Sequence, residues 1–363
     1  MKRLSIALVL AGVCSALLAC SGGGSTPSGG GGATPTPRPT PSASPTTRPS
    51  ATPTPSGSAT PLPPATITEY PLASQTAFPY EIANGPDGNL WFTSFSGKVG
   101  KLTTSGTETE YPTTPGQLSG ISAGPAGASD LWFITQSPGS ISKITTSGAV
   151  TTFVVPAPTQ PQFITRGPDG NMWFTDMSGF VGKITTSGTI TRYPVTSPGG
   201  STAAAAGIVA GSDGNLWFAD GNGAIGKVST AGVELATYAT PGSPANSQPQ
   251  VVALGPDGNV WFTDREQNAV EKITTAGTIT EYPLTPPRGM TSNEPVSITN
   301  GPDGNVWFTE VAANRIGVIT PSGTIAEYTI PTPVSGPFGI TLGPDNNLWF
   351  TEFNTGQIGK VVP

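Results

Sequence analysis

All seven tryptophans of this chain occupy one local phrase, each followed by Phe: Trp91, Trp132, Trp173, Trp217, Trp261, Trp307 and Trp349. Successive gaps are 41, 41, 44, 44, 46 and 42 residues, a mean of 43. A strand-rich period of that length marks a β-propeller with one Trp-Phe per blade. The fold then dictates where a site can lie.

The repeat reads as four short antiparallel strands. In Pro295 to Thr329, Pro295-Val296-Ser297-Ile298 opens the first. Gly301-Pro302-Asp303-Gly304-Asn305 supplies turn residues, and Val306-Trp307-Phe308-Thr309 is the second strand. Ile316-Gly317-Val318-Ile319 is the third, and Thr324-Ile325-Ala326-Glu327-Tyr328 the fourth. The continuous apolar run of the second strand fits a sheet covered on both faces. A fourth-strand phrase, Ile67–Tyr70, precedes the first Trp-Phe, while the last Trp-Phe unit has none after it. The expectation is an all-β, seven-bladed propeller over residues 65–363, closed by strand 67–70 completing the last blade. It is expected to be monomeric.

The remainder is of a different character. Residues 1–20 read as a lipoprotein signal peptide: Lys2 and Arg3, a short apolar stretch, then Leu17-Leu18-Ala19-Cys20. That ending resembles a bacterial lipobox and implies lipidation at Cys20, with anchoring worth about 0.8 kcal/mol per buried methylene. Residues 21–64 are almost wholly Gly, Ser, Thr, Pro and Ala, a composition that cannot offset its own ordering entropy. They read as a tether, reaching on the order of 130 Å if fully extended; a glycosylated stalk is the alternative. The expected location is the bacterial cell envelope, facing periplasm or exterior.

Composition removes several classes of function. The only cysteines, Cys14 and Cys20, precede the propeller, which leaves it no disulfide or thiol chemistry. All 22 acids and twelve of the bases lie in the propeller, a formal charge of −10. An acidic domain without a basic patch is a poor partner for nucleic acid. The chain contains no histidine, so no imidazole base is available near neutral pH.

Strand direction places two rings of residues at one mouth of the central channel. The first is Tyr80, Ser119, Gln162, Ala206, Gln250, Val296 and Phe338. Tyr80, Gln162, Gln250, Val296 and Phe338 are its candidate ligand-binding residues. The second lies three residues after each Trp and contains five consecutive acids, Asp176, Asp220, Asp264, Glu310 and Glu352. These could hold Mg or Ca, which take carboxylate oxygens. Equally, each could anchor its own following loop, a reading that repetition favours.

The recurring Gly-Pro-Asp-Gly-Asn-[Leu/Val/Met]-Trp-Phe-Thr and Ile-Gly-Lys-Ile-Thr-Thr-Ser-Gly-Thr-Ile-Thr-Glu-Tyr-Pro resemble the virginiamycin B lyase (streptogramin lyase) family over residues 65–363. The resemblance implies opening of a cyclic depsipeptide by C–O elimination, with magnesium and a His base. It also implies His in the Pro-His-[Gly/Ala]-Ile phrases that open the last two blades. Here Val296 and Phe338 stand at those positions. Gly336 stands at an implied metal-binding Glu, Glu352 matches another only approximately, and Tyr80 matches an implied Tyr in Pro79-Tyr80-Glu81-Ile82.

Three readings follow. The favoured one is a non-catalytic, lipid-anchored binding protein for a small molecule, glycan, peptide or envelope protein. The second is an enzyme, either a Mg-dependent C–O lyase or a lactonase-like metal hydrolase using carboxylates. The third is a structural envelope protein.

Overall fold

The computed structural model describes residue 62 and residues 64–363, apart from 114 and 243–245. The expected signal peptide with its Cys20 and nearly all of the expected tether lie outside these residues.

Seven four-stranded antiparallel sheets form the ring. Their inner strands are Pro79–Asn84, Leu118–Ala123, Pro161–Arg166, Ala205–Ala210, Pro249–Leu254, Pro295–Asn300 and Pro337–Leu342. In blades 1 to 6 the chain runs outward through four consecutive strands. In blade 7 the order is Pro337–Leu342, Leu348–Glu352, Gln357–Val362 and then Thr66–Pro71. Thr66–Pro71 pairs antiparallel with Gln357–Val362, from Thr66↔Val362 to Pro71↔Gln357, and closes the ring as the repeat count predicts.

The Trp-Phe phrase works in two seams at once. Each indole is at most 1 % exposed. It packs against the Phe of the following blade, as Trp173 does with Phe218 and Trp349 with Phe92 across the closure. In every blade but the second its Nε1–H donates to the turn Asp four residues earlier, Trp91 to Asp87 at 2.9 Å and Trp217 to Asp213 at 3.0 Å. A fourth-strand aromatic stacks on it, as Tyr111 does on Trp91 at 5.4 Å, and a third-strand Lys lies over the ring, as Lys101 does over Trp91, except in blade 6, where Val318 stands opposite Trp307. The Phe explains the Gly of Ile-Gly-Lys: a Cβ on Gly100 would stand 2.0 Å from the Phe92 ring. Burying one such aromatic per blade is the main apolar stabilisation available to a seam.

Every inner strand carries a β-bulge near its start. In blade 1, Pro79 pairs with Ser94 and Ile82 with Phe92, so Tyr80 and Glu81 together oppose Thr93. A bulge frees backbone groups and re-aims side chains. The Thr93 hydroxyl occupies the gap, accepting from Glu81 N at 3.2 Å and donating to Ser119 O of blade 2 at 2.6 Å. Thr263, Thr309 and Thr351 donate likewise to the carbonyls of Val296, Phe338 and Tyr80 at 2.6–2.7 Å.

The closing strand is therefore integral to the core. Deleting residues 65–72 is expected to lower the melting temperature sharply. Tyr70→Ala, which loses the stack of Tyr70 on Trp349 at 5.3 Å, is expected to cost roughly 2 kcal/mol. Calorimetric melts check both; an unchanged melt of the deletion contradicts closure.

Candidate functional site at the channel mouth

Inner strands begin, and second strands end, on one face of the ring, the loop face. The bulge delivers the first ring of candidates there, but not as an open collar. Tyr80 is 3 % exposed, Val296 2 % and Gln162 8 %, whereas Gln250 and Phe338 are half-buried. Tyr80 is stacked between Phe338 at 4.3 Å and Phe95 at 4.7 Å, with Phe353 edge-on at 6.5 Å. Phe78 packs on Phe353 at 5.3 Å. Five aromatics thus form one cluster where blade 7 meets blade 1. Gln162 lies elsewhere on the rim and accepts from Gln136 Nε2 at 2.7 Å. Of the candidate residues, then, the structure joins only Tyr80 and Phe338.

Phe78, Phe95 and Phe353 were missed from sequence. Phe95 and Phe353 stand four residues after their Trp, where blade 2 has Gln136 and blade 5 Arg265; that column was the available signal. Phe78 and Val334, both in loops of this face, hold φ of 51° and 56°. Bulky side chains rarely adopt such angles, and sites of this kind store strain of order 1 kcal/mol or more.

Glu81 is a second omission. Its strand position carries Gly120, Phe163, Gly207, Val251, Ser297 and Gly339 in the other blades, none of them charged. The side chain is 8 % exposed, and Oε2 lies 3.0 Å from where a Cβ on Gly339 would stand. Its Oε1 has no hydrogen-bond partner. Burial pushes the carboxyl up to about 8. Burial, with Glu81 beside it, also pushes the Tyr80 phenol well above its usual value, so Tyr80 is a neutral hydroxyl at physiological pH.

The acidic ring does not converge. All five carboxylates are 0–1 % exposed, and each engages its own blade. Asp176 accepts from Thr159 Oγ1 at 2.7 Å and Gln160 N at 2.8 Å, with Arg192 at 3.7 Å. Asp220 accepts from Ser197 Oγ at 2.5 Å and Ala204 N at 2.8 Å. Asp264 accepts from the Ser247 hydroxyl and from Gln248 N at 2.9 Å. Glu310 takes Asn293 Nδ2 at 2.6 Å, and Glu352 takes Thr355 Oγ1 at 3.4 Å. Among the described residues no three acids stand where they could share one ion. The partners of the first four just given lie in the loop before each inner strand; the following loop that the local-anchor reading named is also bonded by Asp176, Asp220, Asp264 and, through Thr355, Glu352.

Blades 5 to 7 do pair acid with acid. Burial, then Glu327, pushes Glu310 up to about 8, although Arg315 bonds Glu327. Burial, then Glu69 of the closing strand, does the same to Glu352, also to about 8. Glu271 stands where blades 1, 3, 4, 6 and 7 have Gly. It is fully buried with both oxygens unpartnered, and burial, Asp264 and Glu281 push it to about 9.

With this geometry in hand, comparison with known proteins decides the family. The sequence model of the virginiamycin B lyase family matches residues 65–287 and 201–363. The chain belongs to the virginiamycin B lyase family. A solved streptogramin B lyase is 33 % identical, covering 82 % of this chain and 97 % of that one, with a TM-score of 0.73. Selenomethionine-substituted virginiamycin B lyase from Staphylococcus aureus is 31 % identical over 83 % of this chain and 100 % of that one, TM-score 0.74. A catalytically inactive His-to-Ala variant of the Staphylococcus aureus enzyme, with quinupristin, is 30 % identical over the same shares, TM-score 0.75. No curated protein sequence matches the chain.

The magnesium implied by the family resemblance does not fit these residues. Gly336 offers no carboxylate, and Glu352 is turned into its own loop.

The raised carboxyls set a pH dependence. Each holds its proton more tightly folded than unfolded. From the ordinary Glu value of 4.5 up to about 8 or 9, the folded chain therefore binds more protons, and stability falls as pH rises through that window. The turn aspartates act oppositely. Asp213 is lowered to about 2 by its hydrogen bonds from Lys227 and Trp217, which outweigh burial, so its contribution is lost only on acidification. The melting temperature should peak near about pH 5 and decline toward about pH 9. Glu271→Gly should flatten that decline. A scanning-calorimetry series flat across this range contradicts the assignment.

Proposed function

We propose that this member of the family is a non-catalytic ligand-binding propeller. The observation that carries the reading is the content of the two positions implied for His: Val296, buried at 2 % exposure, and Phe338, stacked on Tyr80. No histidine elsewhere can substitute, because the chain has none. The solved relative lends support: a His-to-Ala variant described as catalytically inactive is nonetheless a complex with quinupristin. Loss of the imidazole is thus compatible with binding on this fold.

The proposed contact surface is the aromatic cluster of Phe78, Phe95, Phe338 and Phe353 around Tyr80, with the half-buried Gln250 on the rim. Aromatic faces with a few amides suit a peptide or glycan. Strain at Phe78 and Val334 belongs to the same face. The proposal retains the tether and lipid anchor at Cys20, which would hold the propeller at the cell envelope.

Incubating the full-length protein with quinupristin and magnesium, followed by mass spectrometry, tests the reading. The expected result is intact cyclic compound at all times, since an imidazole general base is typically worth about 10²–10⁴ in rate. Accumulation of linear product overturns it.

A further inference from the structure

The strongest break in the repeat lies on the opposite face, in blade 2. Six turns carry an Asp four residues before Trp: Asp87, Asp169, Asp213, Asp257, Asp303 and Asp345. Blade 2 reads Gly124-Pro125-Ala126-Gly127-Ala128-Ser129-Asp130, two residues longer, with Ala126 following Gly-Pro where Asp would stand. The consequences are local and coherent. Trp132 Nε1 has no partner, whereas the indoles of the other six blades donate to their turn Asp. Lys143, over the Trp132 ring at 5.7 Å, has no carboxylate within 4.0 Å, whereas Lys227 reaches Asp213 at 2.7 Å.

The same turn borders a cavity of about 710 Å³, lined by Asn84, Pro86, Pro125, Ser129 and Arg166 among others. Arg166 is the only charged residue of that lining. It ends the inner strand of blade 3, where blades 4, 5 and 7 have Ala210, Leu254 and Leu342. Its Nε donates to Gly124 O at 2.9 Å, across the seam. That contact orients the guanidinium while leaving its terminal nitrogens without a carboxylate, unlike Arg192, Arg265 and Arg315. The nearby Asp130 does not line the cavity. Its Oδ1 lies 2.1 Å from where a Cβ on Gly124 would stand and makes no ion pair.

We infer that this turn-face cavity binds a small organic oxyanion, a carboxylate or phosphate carried on an apolar body, with Arg166 as its anchor. A guanidinium presents a planar fork that matches both oxyanions. Pro86, Ala123 and Pro125 offer the body an apolar wall, and Asn84 and Ser129 offer further hydrogen bonds. The turn's acid stands at Asp130 instead of position 126, so Ala126 and not an aspartate lines the cavity, and no lining carboxylate repels such a ligand. In a domain of net charge −10, Arg166 is an exposed arginine without a carboxylate partner, held at the edge of the cavity by its bond to Gly124 O. The site is separate from the mouth and independent of the reading proposed for it.

The test uses the full-length protein at low ionic strength and three probes: benzoate, phenyl phosphate and inorganic phosphate. Amide shifts of Gly127 and Ala128 in nitrogen–proton correlation spectra report binding. The expectation is saturable binding of benzoate or phenyl phosphate, the pair distinguishing carboxylate from phosphate, with inorganic phosphate weaker for want of a body. Arg166→Gln should weaken the tighter probe by about tenfold or more, and Arg166→Lys by less. Ala126→Asp, which puts an acid into the cavity lining without touching Arg166, should weaken it too and decides the matter if Arg166→Gln does not fold. Phe338→Ala at the distant mouth should change nothing. Saturation by none of the probes, or binding indifferent to both Arg166→Gln and Ala126→Asp, overturns the inference.

Discussion

The hydroxyl of the Thr in Trp-Phe-Thr is the interaction on which the ring depends. It sits opposite a bulge that exposes an inner-strand N–H, accepts from that N–H, and donates to the inner-strand carbonyl of the next blade. One oxygen thereby satisfies a defect within its own sheet and fixes the distance to its neighbour. Because Thr351 makes this bond to Tyr80 O, the pattern runs unbroken through the closure. Blades 2 and 4 have Ile134 and Ala219 there instead, and Thr175 of blade 3 bonds Phe163 of its own sheet; the seam of blades 2 and 3 carries other bonds, such as Gln136 to Gln162.

The bulge held open by this hydroxyl also determines what the mouth can be. It turns Tyr80 into a stack with Phe95 and Phe338 instead of leaving it as an open collar. The mouth is therefore an asymmetric aromatic patch at the seam of blades 7 and 1, with the remaining circumference amide or aliphatic. The acids beneath it belong to separate blades, and their solutions differ: Asp176 meets Arg192, while Glu352 meets Glu69. A repeat can thus keep a residue in register while changing its electrostatic role entirely.

Blade number, strand order and the closing pair were legible because each rests on a periodic local signal: turn Asp-Gly, consecutive apolar residues, fourth-strand Tyr. The ring positions were legible too, since direction follows from strand count. Which side chains face the opening was not, because the bulge adds a residue to one strand and alternation ceases to predict direction. Glu81 shows the limit. Its charge marks it as exceptional in a column otherwise uncharged, yet only the fold shows its carboxyl pressed against Gly339, nearly 260 residues away. The pairing of acids in blades 5 to 7 was hidden for a similar reason: in blades 6 and 7 Glu327 and Glu69 reach over a third-strand Gly, and in blade 5 Glu271 replaces that Gly.

Closing the ring with Thr66–Pro71 has a consequence for how the molecule comes into being. The first strand to leave a ribosome or export channel is the last whose partner exists, since Val362 must arrive before Thr66 can pair. Until then, blade 7 lacks its outer strand and the Trp349 indole lacks its Tyr70 cover. A chain interrupted before Gln357 would carry an exposed strand edge of the kind that promotes aggregation. Closure thus makes the integrity of the whole ring depend on a single hydrogen-bonded ladder between the two strands most distant in sequence.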